Sequence, residues 1–205
     1  LAPIFHKLIT KKERIDLPVN FLNLGGIVNI TYIINNKPSG VLSYDIGPGN
    51  CLIDAWIRKK TKKRYDDKGS IAKTGKTNEI TLDAMLFYYN FIEGRHDKTG
   101  LPKRSLDISD FNLPDDFKKL SLEDGAATLT EFTSRVLDPF IKNTKKGKEK
   151  IILCGGGRKN KFLVRVIKSG NSNVKLIDDY GIDGDFVESQ AFAYLAIRSF
   201  LKLPI

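Results

Sequence analysis

The chain has 205 residues, 41% of them hydrophobic, with 8 prolines and a net charge of +10. That composition supports a buried core and excludes bulk disorder, and the length fits one large domain or two small ones. The positive charge is spread along the chain among 24 acidic residues. No arginine–aromatic ribbon or helix-turn-helix pattern accompanies it, so nucleic acid is not the expected partner.

Cys51 and Cys154 show no CxxC or Cys/His spacing, which argues against zinc or a disulfide framework and fits a reducing cytoplasm. There is no apolar run near the length of a membrane span and no basic-then-apolar leader, so the expectation is a soluble chain with no membrane partner. The chain begins Leu1-Ala2-Pro3, and Leu1 is not expected to be a translation start.

Residues 20–24, 28–34 and 41–45 read as three short strands of an antiparallel meander with glycine turns. Residues 51–58 read as a helix after Gly47-Pro48-Gly49. In residues 81–91, Leu82, Met85, Leu86 and Tyr89 fall on one helical face, and a longer helix starts near Ser121, which has capping-box spacing to Asp124. The last third alternates: strand 150–153, helix 161–168, strand 174–177, helix 186–201. Such alternation implies parallel strands joined by crossovers.

Four motifs sit where chemistry is possible. Gly25-Gly26, followed by Asn29, lies at a hairpin turn, where glycines permit positive φ and leave N–H groups uncovered for a phosphate, or simply make a turn. Asp45 ends a strand beside Gly47-Pro48-Gly49-Asn50, where a carboxylate can take a proton from an attacking hydroxyl or water, or cap a turn. Gly155-Gly156-Gly157, before Arg158 and Asn160, follows a buried strand and fits neither GxGxxG nor GxxxxGK[ST]. Three glycines are costly to order, which favours nucleotide contact over a plain turn. Asp185 and Glu188 open the last helix with capping-box spacing, while Glu188 could equally accept sugar hydroxyls. His6 and His96 have no partner at catalytic or metal-ligand spacing, and no metal-ligating protein residue is expected.

The runs LNLGGIVNIT (22–31), SYDIGPGNCLIDAWI (43–57), YDDKGSIAKTG (65–75), DGAATLTEFT (124–133), CGGGRKN (154–160) and DDYGIDGDFVESQAFAYLA (178–196) occur in the order and approximate spacing of anhydro-N-acetylmuramic acid kinases, which the chain resembles over nearly its whole length. The resemblance implies an α/β fold: a single, C-terminal lobe of the actin/hexokinase-like ATPase type, ribonuclease H-like β-β-β-α-β-α-β-α, with a mixed five-stranded sheet and helices on both faces. Residues 1–20 would be an inter-lobe connection and 21–205 the lobe, with the N-terminal lobe absent. The implied reaction converts 1,6-anhydro-N-acetylmuramic acid, ATP and water to N-acetylmuramic acid 6-phosphate and ADP, with Mg2+, in cell-wall recycling.

By the same resemblance Asp45 is the general base and Glu188 a substrate ligand. Gly25, Gly26, Asn29, Gly47, Gly49, Asn50, Gly155, Gly156, Gly157 and Asn160 would contact the nucleotide. Ile46 departs from the family, which usually has Thr there. The facing lobe, or a homodimer partner, would complete the cleft. A second reading is a lone lobe that binds a nucleotide or dimerises without turnover.

Overall fold

The computed structural model describes residues 2–91, 106–111, 113–142, 149–169, 171 and 173–204. His96 and most of the lysine-rich run after Lys142 lie outside them.

Five strands form one mixed sheet in the order β3-β2-β1-β4-β5. β1 (Val19–Leu24), β2 (Ile27–Ile33) and β3 (Val41–Pro48) make the antiparallel meander. β4 (Lys150–Cys154) runs parallel to β1, and β5 (Val174–Leu176) parallel to β4. The expected mixed five-stranded sheet, with helices on both faces, is therefore present.

Side-chain alternation along β1 divides the core. Val19 and Phe21 face one side with Ile33, Ile152 and Ile177, where α1 (Ala2–Lys12) contributes Phe5 and Ile9 and α6 (Val187–Phe200) contributes Val187 and Ala191. Leu22 and Leu24 face the other side with Ile30, Ile151 and Leu153, covered by α4 (Leu122–Lys142) through Leu137 and Ile141 and by α5 (Lys161–Lys168) through Leu163 and Ile167. β1 is buried on both faces, as a strand with neighbours on both edges and helices above and below must be.

α4 serves two clusters. Its Leu129, Phe132 and Val136 pack with α2 (Cys51–Lys60) and α3 (Glu79–Phe91) through Trp56, Ile57, Leu82 and Met85. Gly125 is where α2 meets α4: a Cβ there would stand 2.4 Å from the Trp56 ring. The same indole donates to the Leu122 carbonyl at 2.9 Å and lies edge-on to Phe117 at 4.8 Å. Half of the box that the spacing predicts is seen at α4: the Ser121 hydroxyl accepts from the Asp124 N–H at 3.0 Å, while the Asp124 carboxylate accepts from the Lys76 N–H at 2.7 Å.

His6 sits in the core, stacked on Phe21 at 4.5 Å, and burial pushes its pKa down to about 4. The folded value lies below the ordinary 6.5, so the unfolded chain binds the proton first. The stabilisation from keeping His6 neutral is complete above that ordinary value and falls away as pH drops towards 4, with a slope of up to about 1.4 kcal/mol per pH unit. His6→Phe should remove that component, and urea unfolding of both proteins from pH 7 to pH ~4 measures it. Parallel stability curves for the two proteins would contradict the assignment.

Candidate functional site

β1 and β4 are neighbours in register, with Leu22 opposite Leu153 and Asn23 opposite Cys154. The chain turns away from both strands at the same end. Gly25-Gly26 leaves β1, and Gly155-Gly156-Gly157 leaves β4. The connections also run in opposite directions from this point, towards β2 and β3 on one side and β5 on the other. A crevice between carboxyl ends of strands at such a reversal is where open α/β sheets take ligands.

Neither Gly25 nor Gly26 has a positive φ, which corrects the expectation for this turn. Their carbonyls hold the start of α2 instead. Gly26 O accepts from the Gly49 N–H at 2.8 Å and the Cys51 N–H at 3.1 Å, and Gly25 O from the Asn50 N–H at 2.9 Å. Asn50 Nδ2 adds a donor to Gly25 O at 3.3 Å. Gly49 is glycine because a Cβ would come within 2.3 Å of Gly25 O, and a Cβ on Gly47 would lie 2.4 Å from Val136.

The three glycines after β4 do different work. Gly155 has φ +79° and would press a Cβ to 2.2 Å from Asn23 Oδ1, while a Cβ on Gly157 would meet Asn50 Nδ2 at 2.6 Å. A Cβ on Gly156 meets nothing within 4 Å. Packing thus accounts for the outer two, and the middle one faces open space. The N–H groups of Gly26, Gly156 and Gly157 have no hydrogen-bond partner among the described residues.

These loops border a cavity of about 370 Å3. Gly25, Gly26, Asn50, Gly156, Gly157 and Asn160 all line it, so six of the residues expected at the nucleotide come together there. Leu24, Asp54, Lys159 and the segment Tyr65-Asp66-Asp67-Lys68 complete the lining, and none of them was an expected site residue. The signal for the last segment was the polar run Asp66-Asp67-Lys68-Gly69. Asn160 fixes this wall: its Oδ1 caps α5 by accepting from the Leu163 N–H at 3.0 Å, and the close approach of Gly69, at φ +72°, leaves no room there for a Cβ. The buried Asp66 carboxylate accepts from the Ile71 and Ala72 N–H groups at 2.8 and 2.9 Å, which ties down the same loop. Burial, opposed by Arg58 and reinforced by Asp66, pushes the Asp54 carboxyl up to about 6.

Glu188 lies elsewhere, exposed on α6, lining a second cavity of about 420 Å3 with Asn23, Gly155, Gly156, Lys159 and Phe192. The two cavities share Gly156 and Lys159. The capping box expected of Asp185 and Glu188 is not formed: Phe186 is the N-cap and makes no side-chain cap bond. The Asp185 carboxylate is drawn off by Arg158 at 2.7 Å and Lys159 at 2.6 Å. Arg158, buried, also donates to Asp178 at 2.8 Å and to Gly155 O at 3.2 Å, pinning the glycine loop to the turn before α6.

Asp45 lines neither cavity. It sits on β3 at a bulge, where Val28 pairs with Gly47 and Asn29 with Asp45, leaving Ile46 unpaired. Asp45 Oδ1 accepts from Asn29 Nδ2 at 3.0 Å and Oδ2 from the Leu106 N–H at 2.9 Å. Ser43 Oγ lies 3.2 Å from Asn29 Oδ1, so Asn29 is held towards Asp45 and lines neither cavity. The Ile46 side chain is buried in the sheet core, and its carbonyl accepts from the Tyr89 hydroxyl.

The cysteines are bystanders. Burial pushes the Cys51 thiol up to about 11 and the Cys154 thiol up to about 12, far from the thiolate form a nucleophile needs. Among the described residues no three His, Cys, Asp or Glu side chains gather as a metal-ligand set, and no helix is long and apolar enough to cross a membrane.

Burial works against the Asp178 carboxylate, yet bonds from Arg158 and the Gly184 N–H hold it below the ordinary 3.8; Lys159 and then Arg158 do the same for Asp185. Folded values below unfolded ones mean that this stabilisation is present above the ordinary value and is lost as pH falls below it. Arg158→Met should therefore lower the urea midpoint at pH 7 and flatten the further loss below pH ~4. A variant with an unchanged midpoint and acid limb would show that the ion-pair cluster does not hold the loop.

The whole chain, residues 1–205, matches the family model described as anhydro-N-acetylmuramic acid kinase. It is 44% identical to the anhydro-N-acetylmuramic acid kinase of Pelagibacter ubique over 100% of this chain and 55% of that protein. Likeness to the proteins of the same name from Zymomonas mobilis and Methylobacterium nodulans is 37% and 35%, over 100% of this chain and 53% and 52% of theirs. The chain thus spans about half the length of the curated relatives it matches. A solved structure, the activator of the 2-hydroxyisocaproyl-CoA dehydratase from Clostridium difficile with bound ADPNP, is similar at a TM-score of 0.49 and 12% identity, over 84% of this chain and 57% of that one. That likeness is too distant to carry fold or function across. The family match over every residue, and relatives above a third identity along the full chain, make this protein a member of the anhydro-N-acetylmuramic acid kinase family.

Proposed function

We propose that these residues form the nucleotide-binding, base-carrying lobe of a sugar kinase that converts 1,6-anhydro-N-acetylmuramic acid, ATP and water to N-acetylmuramic acid 6-phosphate and ADP in the cytoplasm. The observation that carries the reading is the cavity between the two glycine loops, lined by residues of four of the sequence motifs above, where the N–H groups of Gly26, Gly156 and Gly157 have no partner among the described residues. Backbone donors without partners, at a crevice with room for a nucleoside, suit a polyphosphate. In this reading residues 1–20 lead in from the facing lobe, but α1 packs on this lobe's sheet and Val19 and Asn20 already pair within β1, so the lobe takes in more than 21–205.

Asp45 is the general base. It takes a proton from the water whose oxygen bonds to the anomeric carbon; the C1–O6 bond breaks, and O6 accepts the phosphoryl group. Asn29 and the Leu106 N–H hold both carboxylate oxygens and so aim the base. Glu188 accepts sugar hydroxyls beside Gly155 and Gly156. Mg2+ belongs with the phosphates, where it neutralises charge and where few protein ligands are needed.

Two measurements test this. Titration calorimetry of ATP with Mg2+ against the 205-residue chain should show binding. Gly156→Ala should weaken it roughly tenfold or more while leaving the melting temperature unchanged, because its Cβ has open space to occupy. Equal affinity in the variant would move the nucleotide elsewhere. For the chemistry, a full-length fusion in which these residues replace the matching part of the Pelagibacter relative should release ADP only with the anhydro-sugar present. Asp45→Asn in that fusion should cost on the order of 10²–10⁴-fold. Retained turnover would remove Asp45 from the role of base.

A further inference from the structure

Three carboxylates border the glycine-loop cavity, and they differ in what they already hold. Asp66 is committed to its own loop, accepting from the Ile71 and Ala72 N–H groups. Asp67 is exposed at the loop surface. Asp54 is half-buried, and among the described residues its carboxylate accepts no hydrogen bond and forms no ion pair. Arg58, one turn on in α2, donates instead to the Arg64 carbonyl at 3.3 Å. Burial without a donor is what raises the Asp54 carboxyl to about 6.

The place of Asp54 along α2 narrows what it can meet. Asn50, whose side chain donates to Gly25 O, marks the glycine end of the cavity, and the Asp54 N–H donates to the Asn50 carbonyl at 2.8 Å. Asp54 therefore stands one helical turn, about 5.4 Å, beyond that end. A ligand whose phosphates meet the open amides of Gly26, Gly156 and Gly157 brings its next group to Asp54. Phosphate oxygens are unsuited to that spot, since like charges repel and a carboxylate has no proton to donate. A pair of hydroxyls suits it, with two donors for two acceptor oxygens.

We infer that Asp54 is the ribose-binding residue of the nucleotide cavity, accepting from the 2′ and 3′ hydroxyls and so fixing the direction in which the nucleotide lies. This assignment rests on the nucleotide reading above and narrows its ligand to ribonucleotides over deoxy forms and bare polyphosphate. In a nucleotide the ribose follows the α-phosphate directly and the base stands a further ring away. The sugar is thus the group that falls within one turn of the glycine end.

Titration calorimetry with Mg2+ on the 205-residue chain, at pH ~8 where the carboxyl is ionised, tests this with ATP, 2′,3′-dideoxy-ATP and inorganic tripolyphosphate. ATP should bind roughly tenfold or more tightly than the dideoxy form, the change expected when hydrogen bonds to a charged group are lost. Asp54→Ala should weaken ATP by a similar factor, bring ATP and the dideoxy form level, and leave tripolyphosphate no weaker. Its melting temperature should change little, because the carboxylate removed has no partner in the fold. Gly156→Ala, by contrast, should weaken all three ligands. Equal affinity of the unmutated chain for ATP and dideoxy-ATP would overturn the ribose assignment, and that comparison needs no variant. An Asp54→Ala chain that loses tripolyphosphate as much as ATP would overturn it too, by moving the carboxylate to the phosphates and their metal ion. So would one that keeps its ribose preference and changes its choice between ATP and GTP, by moving the carboxylate to the base. In each of these cases a loss of affinity in Gly156→Ala still upholds the nucleotide reading. A ribose preference that Asp54→Ala abolishes and Gly156→Ala leaves at full affinity does the reverse, and no binding of any of the ligands ends both.

Discussion

The parallel pairing of β1 with β4 is the constraint on which the site depends. Antiparallel neighbours would send their outgoing loops to opposite ends of the sheet. Parallel neighbours in the register Asn23 to Cys154 send them to the same end, one strand spacing apart. The glycines follow from that closeness. Asn23 Oδ1 and the Leu24 carbonyl stand where side chains on Gly155 and Gly157 would have to be, so the second loop can lie beside the first only as bare backbone. What remains uncovered is a short row of amide donors at the one place where the direction of chain connection reverses.

A second constraint shapes the β3 edge. An unbroken β2–β3 ladder alternates its side chains strictly, and the bulge at Ile46 resets that alternation. Asn29 then stands opposite Asp45, with Ile46 turned into the core under the Tyr89 hydroxyl. An aliphatic side chain at position 46 is thus accommodated by packing. A residue whose side chain is enclosed among Leu22, Ile30 and Leu137 loses nothing by being aliphatic.

Most of the fold was legible because its signals are local. Period-two runs, helical spacing and glycine breaks identified all five strands and the five helices after β1, and the mixed sheet followed from their order. α1 was harder to see: its apolar positions Phe5 and Ile9 are few, and it is anchored by the sheet rather than by its own pattern. In the site, Gly25-Gly26 and Gly155-Gly156-Gly157 were legible as two glycine loops after strands, whereas their grouping with Asn50 and Asn160 came only through the resemblance to the kinase family. The loop from Tyr65 to Lys68 could not, since its position is set by contacts that no spacing reveals, the approach of Gly69 to Asn160 and of Asp66 to two amides. Asp185 illustrates the opposite error. Capping-box spacing is a local signal, but Arg158 and Lys159, 27 and 26 residues away in sequence, outcompete the helix end for its carboxylate.

The arrangement of these parts also shows what one lobe is able to do. The open amides of Gly26, Gly156 and Gly157 border one cavity, Glu188 borders another, and Asp45 lines neither. Gly156 and Lys159, shared by both cavities, join the first two regions, and β2 with its Asn29 joins Asp45 to the hairpin turn. General-base chemistry on a sugar needs the base, the sugar contacts and the transferring phosphoryl group around one reacting centre, at hydrogen-bond distances. A sheet end that is open on one side holds its groups in fixed relative positions but does not exclude water from between them. Fixed positions are the contribution of this lobe, through the β1–β4 register, the Arg158 cluster and the β3 bulge. Exclusion of water requires a second surface across the open side of the two cavities.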